Sequence, residues 1–397
     1  MARKGSRSNG ADTTCSGHDY DGWVRRWNVE LEEPKAGWHY PRDLDQFMDW
    51  FSTESAARDY FHSVRFRAGM ACPRCGDLDV SKGADKRWWC PSCRRRFTVT
   101  TGTVLEHTRI PLRTWLLVAW FLTQTKVGIS ALSIERIIGV HYQSAWSLLH
   151  KMRAAMDQGP RSRLRGDVEI DETLVGGVDP GKPGRAKGKK EVVVIAAEHV
   201  SDSSMGRIRM ARLPVASGFA LADFIEANVE PGSILLTDDF RSYPTAVNEL
   251  AARRLEYTLK PFNIHASKEP AHEALPHVHR VASLFKRWGL GTHQGAMEGP
   301  HLDAYLDEFV FRFNRRHSEN RGLLFWRLIC DLVATEPLTR AKLGQRRGEL
   351  AAADEAHSER LRLWDNAKQR QRYQKKAGRE VRPYRRRAGG EDLSSTG

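Results

Sequence analysis

No run of apolar residues in this chain approaches the roughly 20 that a bilayer-spanning helix requires. The longest, from Trp115 to Leu122, has eight, and the mean hydropathy of −0.55 excludes a helical membrane protein. The first twenty residues carry basic groups without an apolar core segment, so a secretory signal is not expected and the cytoplasm is the expected compartment. Cysteine is scarce. Six occur in 397 residues and four of them cluster, which excludes a disulfide scaffold and favours a metal site in a reducing compartment. Acids are outnumbered, 49 Asp and Glu against 63 Lys and Arg, and a net charge of +14 with a pI near 9.6 favours a polyanionic partner, nucleic acid first. Internal repeats are absent. With 40% hydrophobic and 9% aromatic residues, the length calls for two or three packed domains.

Residues 1–43 read as a partly disordered N-terminal arm, and 44–107 as a helical pattern (Leu44 to Val64) followed by the cysteine cluster. Residues 108–160 read as helices broken near Gly128 and Gly139. Within 161–335, the β-branched runs DVEIDETLVGG and EVVVIAAEHV flank a Gly and Lys loop as a hairpin would. RIRMARLP and SILLTDD give further strands, Ser217 to Asn228 a helix, and helical patterns resume from Val278. Residues 336–397 form a charged tail, with ten Lys or Arg against one acid between Lys368 and Arg387. The expected fold class is multidomain α+β.

Cys72-Pro-Arg-Cys75 and Cys90-Pro-Ser-Cys93 are two Cys-x2-Cys knuckles, the spacing of a four-cysteine zinc ribbon. Four thiolates close the coordination sphere, so this Zn²⁺ is expected to be structural. Cys15 and Cys330 read as ordinary thiols. Arg94, Arg95 and Arg96, beside Trp88, Trp89 and Phe97, are candidates to lie along a phosphate backbone.

In ISALSIERIIGVHYQSAWSLLHKMRAAM, a short apolar-periodic run, a Gly-bearing turn and a second amphipathic run have the layout of a helix-turn-helix. That layout puts Gln143, Ser144, Ser147, Lys151 and Arg153 near DNA. Asp171 sits inside one β-run and Asp238 at the end of another, as carboxylates sharing divalent cations require. His279 and Lys286 are seven residues apart on one helical face. Glu308, Arg312 and Arg315 share a face as well, either as an ion-paired helix or as an arginine clamp on DNA.

In this order the motifs resemble the zinc-ribbon DDE transposases of bacterial insertion sequences, the group with an ISXO2-like transposase domain. The resemblance runs from about Asp43 to about Arg327. It rests on the ribbon and on Ile110-Pro111-Leu112-Arg113-Thr114-Trp115. It also rests on Val168-Glu169-Ile170-Asp171-Glu172-Thr173, Thr237-Asp238, Lys286-Arg287, and Tyr305 to Glu308 with Arg312 to Arg316. It implies an RNase H-like catalytic domain that cuts and joins the ends of a mobile element using two divalent ions, Mg²⁺ or Mn²⁺. By it, Asp171 and Asp238 are the first two metal-binding carboxylates, and the third acid of many relatives, seven residues before the motif lysine, is here His279. A neutral imidazole ligates without adding negative charge, which would favour Mn²⁺ over Mg²⁺. If His279 only packs at a helix start, Glu273 or Glu308 would complete the set. Lys286 is expected to hold DNA near the scissile phosphate, and Glu308, Arg312 and Arg315 to support the active face. Expected partners are double-stranded DNA, as terminal inverted repeats and target, and further copies of the chain. The alternatives are a catalytically impaired or domesticated transposase and a DNA-binding regulator.

Overall fold

The apolar pattern from Leu44 to Val64, which reads as one helix, forms two. In the computed structural model, which describes residues 33–67, 69–83, 87–156, 163–176, 190–262, 275–295, 297 and 299–339, α1 (Leu44–Trp50) ends at Phe51 and α2 (Glu54–Arg65) begins anew. Capping causes the break. Asp43 accepts from Gln46 N at 2.8 Å and Thr53 from Ala56 N at 3.2 Å, each satisfying an amide that a helix start leaves without a partner. Glu54 caps a third helix, α3 (Leu112–Gln124), accepting from Leu112 N at 2.8 Å and Arg113 N at 3.0 Å, because the residue before α3, Pro111, has no side-chain acceptor to offer.

Between α2 and α3 lies a three-stranded antiparallel ribbon, β1 (Ser81–Lys82), β2 (Trp88–Cys90) and β3 (Arg95–Phe97), with a core of little more than Cys72, Cys90 and Phe97. After α3 come α4 (Ala131–Ile138) and α5 (Tyr142–Met156), joined through Gly139 at φ +76°, a left-handed conformation that costs glycine no Cβ clash. Glu135 accepts from Tyr142 N at 3.0 Å and so caps α5. Breaks near Gly128 and Gly139 are therefore present as expected.

The second half is built on a five-stranded sheet. Its strands are β4 (Asp167–Val175), β5 (Glu191–Ser201), β6 (Ser204–Leu213), β7 (Ile234–Asp238) and β8 (Thr258–Phe262), in spatial order β6-β5-β4-β7-β8. β4, β5 and β6 pair antiparallel, so the expected hairpin forms, and its loop at 177–189 lies outside the described residues. β7 and β8 join in parallel. Val168, Ile170, Val194, Ala196 and Leu235 turn to one face, covered by α6 (Gly218–Asn228) and α7 (Ser242–Ala252). Val175, Val193, Ile195 and Ala197 turn to the other, covered by α8 (Pro276–His293) and α9 (Leu302–Phe313). Burial on both faces is why β5 reads as a continuous apolar run rather than an alternating one.

The last described helix, α10 (Gly322–Ala334), buries Leu324, Phe325, Leu328, Ile329 and Leu332 among Phe47, Phe51, Tyr60 and Trp120 of the N-terminal helices. The sequence groups it with the catalytic segment, but it completes the core of the first. Among the described residues no helix is long and apolar enough to cross a membrane.

Candidate active site and zinc centre

Because side chains alternate along a strand, Asp171 faces α8, opposite to Val168 and Ile170. β7 lies parallel to β4 with Ile170 opposite Thr237, so one further step sets Asp171 beside Asp238. Leu236 packs on the α8 side, which gives Asp238 the same facing. Both carboxylates act on Tyr243 beneath them. Burial raises its phenol well above the ordinary value, and Glu172, Asp171 and Asp238 raise it further.

α8 starts at Pro276 and crosses this face, bringing His279 Nε2 to 3.9 Å from Asp171 Oδ2. Lys286, two turns on, has its pKa lowered by desolvation and by Lys190, while Asp171 opposes the shift. The structure thus brings together Asp171, Asp238, His279 and Lys286 from three elements. Two carboxylates and an imidazole are donors of the kind Mg²⁺ or Mn²⁺ takes, and here their ligand atoms are spread over more than 4.8 Å.

Glu308 and Arg312 are elsewhere. Glu308 is fully buried; its Oε2 accepts from Arg153 Nε at 2.8 Å and its Oε1 from Arg312 Nη1 at 3.3 Å. Burial alone would raise its pKa, but Arg153 and Arg312, with His293, more than offset this and hold it below the ordinary carboxylate value. Arg312 also donates to Thr125 O at 2.6 Å and Lys126 O at 2.7 Å, and Trp288 Nε1 donates to Val127 O at 2.9 Å. These contacts hold the turn between α3 and α4 against α8 and α9. Of the two readings of this face, the ion-paired one is present. Both oxygens of Glu308 are taken by Arg153 and Arg312, away from the Asp171 cluster, and Glu273 lies outside the described residues. Arg315 donates to Phe311 O at 3.0 Å and stacks 3.9 Å over the Phe311 ring.

Two candidate DNA contacts need correction. Arg153 is 1% exposed, drawn inward by Glu308 and by the Tyr305 ring at 4.4 Å. Lys151 bends back to donate to Val104 O at 3.2 Å. α5 is largely a core helix, with Leu148, Leu149, Met152, Ala155 and Met156 buried, and only its first turn is exposed. Gln143 is exposed there, Ser144 and Ser147 are half-buried, and Arg94, Arg95 and Arg96 are exposed on the ribbon. The tail beyond residue 339 lies outside the described residues.

In the ribbon, Cys72 Sγ is 3.7 Å from Cys93 Sγ and Cys75 Sγ is 3.5 Å from Cys90 Sγ. A tetrahedron with Zn–S bonds of about 2.3 Å has edges of about 3.8 Å, so the four sulfurs fit. Burial works to raise the Cys72 thiol, yet the amides of Arg74 and Cys75, together with the Cys75 and Cys93 thiols, more than offset it and bring it down to about 7. Cys93 is pushed up to about 12 by burial and by the neighbouring sulfurs. Four thiolates this close need a cation between them. Cys330 stands apart, pushed up to about 12 by burial.

Among the described residues one other set of potential ligand atoms converges within 4.8 Å: Glu169, His199 and His277. Sequence reading missed it, because these residues are scattered over more than a hundred positions and no spacing joins them.

Residues 52–96 match the family model of the transposase zinc-ribbon domain, and residues 163–314 match that of the ISXO2-like transposase domain. The chain carries the ISXO2-like transposase domain. A curated relative, "Uncharacterized protein in transposable element ISH50" of Halobacterium salinarum, is 28% identical over 285 residues, which is 66% of this chain and 91% of the relative. Two solved structures, of a Mos1 strand transfer complex and of a pre-cleavage Mos1 transpososome, align at 14% identity over 63% of this chain. They cover 80% and 81% of the Mos1 chains, with TM-scores of 0.23 and 0.25. Both family models that match are of transposase domains, one of them a zinc ribbon.

Proposed function

We propose that this transposase binds the terminal inverted repeats of its element and catalyses DNA cleavage and strand transfer on an RNase H-like domain. The observation that carries the reading is the convergence of Asp171, Asp238 and His279 on one end of the sheet, with Lys286 on the same helix face as His279. The strand order, with the first Asp on the central β4 and the second on its parallel neighbour β7, supports it.

When bound there, divalent cations would activate the attacking hydroxyl and stabilise the leaving oxygen of a phosphodiester. Asp171 and Asp238 hold two carboxylates fixed by strand pairing, so no reorganisation is needed when DNA arrives. His279 offers Nε2 from the first turn of α8, and the stiffness of that helix sets its distance from Asp171. Lys286 presents an ammonium to the phosphate, and its partly desolvated state makes an incoming anion a favourable partner. The exposed Arg94, Arg95, Arg96 and Gln143, with the half-buried Ser144, are the residues assigned to DNA, and the basic segment after 339 adds sequence-independent affinity.

Purified protein with DNA carrying the element ends tests the reading. Asp171→Asn and Asp238→Asn are expected to abolish cleavage and leave end binding intact. His279→Ala is expected to remove most activity, and His279→Glu to restore it with a shift from Mn²⁺ towards Mg²⁺. Full activity in His279→Ala with unchanged metal dependence would take His279 out of the site. Full activity in Asp238→Asn would overturn the proposal.

A further inference from the structure

Glu169 lies two residues before Asp171 on the same face of β4, and only 1% of it is exposed. A buried carboxylate needs partners for both oxygens. Oε2 is taken by the start of α8, accepting from His277 N at 2.9 Å and Val278 N at 3.1 Å. Oε1 faces two imidazoles, His199 Nδ1 at 3.1 Å and His277 Nε2 at 3.8 Å. The carbonyl of Ser201 stands 2.9 Å from the same His277 Nε2. His199 is aimed inward by register shifts on either side of it in β5, a bulge that re-directs a side chain.

We infer that Glu169, His199 and His277 form a second zinc site, distinct from the ribbon and from the Asp171 cluster. Bonds of about 2.0–2.1 Å to nitrogen and oxygen give a tetrahedron with edges of about 3.3–3.4 Å, and the observed 3.1 and 3.8 Å bracket that length. The donors are Glu169 Oε1, His199 Nδ1 and His277 Nε2, with Ser201 O or a solvent molecule as the fourth. Two imidazoles and a carboxylate are a zinc-type set rather than a magnesium-type one. The surroundings match what such ligands need. The second oxygen of Glu169 is fixed by two amides, and beyond the other nitrogen of His199 lies Asp202 Oδ1 at 3.7 Å. Without metal, His277 Nε2–H donates to Ser201 O. On binding, the imidazole proton would move to Nδ1 and free Nε2 for the ion.

A route to solvent exists: His199 lines an open cleft of about 850 Å³ together with Arg163, Arg165 and Arg207. The ion would tie β4, the end of β5 and the first turn of α8 together, two residues from both Asp171 and His279. Its role would be to set the distance between those two groups.

The test is zinc stoichiometry on the full chain, saturated with Zn²⁺ and then dialysed against metal-free buffer. Two zinc per chain are expected in the wild type and in His279→Ala, and one in His199→Gln. His199 is partly exposed, so that variant should fold, with a melt checked by circular dichroism. One zinc in the wild type overturns the proposal, as does retention of two in His199→Gln. Loss of the second zinc in His279→Ala would assign it to the Asp171 cluster and also overturn it. Zinc-edge X-ray absorption of the wild type needs no variant. It should show nitrogen or oxygen scatterers at about 2.0–2.1 Å beside sulfur at about 2.3 Å, and sulfur alone refutes the site.

Discussion

Replacing Glu308 by Gln removes a charge and keeps the shape, which isolates what the buried ion cluster does. Arg153 is 1% exposed and its Nε donates to Glu308 at 2.8 Å. Without the carboxylate, a guanidinium stays buried next to a neutral amide and the Tyr305 ring. Breaking a buried pair by removing one partner costs about 3–5 kcal/mol. Arg312 is better placed to survive, because the carbonyls of Thr125 and Lys126 still accept from it. The loss should therefore come mainly from Arg153, and Arg153→Met combined with Glu308→Leu should recover most of it, since burying an apolar pair avoids the charge altogether. Urea unfolding followed by circular dichroism reads the effect as a fall in midpoint at constant slope. A total stability of about 5–15 kcal/mol makes the change large. A loss under about 1 kcal/mol would refute the reasoning. If cleavage disappeared while stability stayed at the wild-type level, Glu308 would act on catalysis directly, as the sequence suggests.

Chelating zinc or making Cys75→Ser should unfold the ribbon while leaving the sheet intact, read as loss of protease resistance confined to residues near 69–99. His62 and His293 are held neutral down to about 4, mainly by burial, so the stability tied to their neutral forms is fully present above their unfolded value of about 6.5. It is lost as pH falls from there to about 4, by up to roughly 3 kcal/mol for each, and a urea midpoint that stays flat from pH 7 to pH 5 would contradict this. Gly128→Ala should destabilise by about 1–3 kcal/mol, because its φ is +69° and a Cβ would meet Arg312 Nη1 and Glu308 Oε1 at 2.5 and 2.8 Å. A melting temperature unchanged in that variant would count against the close approach.

What the sequence determined by itself is local. Two Cys-x2-Cys knuckles are metal chemistry written in spacing, and a Gly-bearing turn between two apolar-periodic runs gave α4 and α5 their boundary. The strand run holding Asp171 was legible because apolar residues and acids alternate in it with the pleat, and the one ending in Asp238 as a short apolar run closed by acids. Tertiary structure decided whatever depends on which faces meet. α5 has the layout of a recognition helix, yet its apolar stripe is wide enough to be swallowed by the helical core, which takes Arg153 out of solvent and ties the half-buried Lys151 back to Val104 O. Glu308, Arg312 and Arg315 share one helix face in any reading, but only packing against α5 and the turn after α3 selects ion pairing over DNA contact. α10 follows the catalytic segment in sequence and joins the first core in space, since Phe325 finds Phe47 and Tyr60 there. Glu169, His199 and His277 carry no periodicity that links them. Their meeting is set by the register of β4 against β5 and by where α8 begins, long-range geometry that no local pattern encodes.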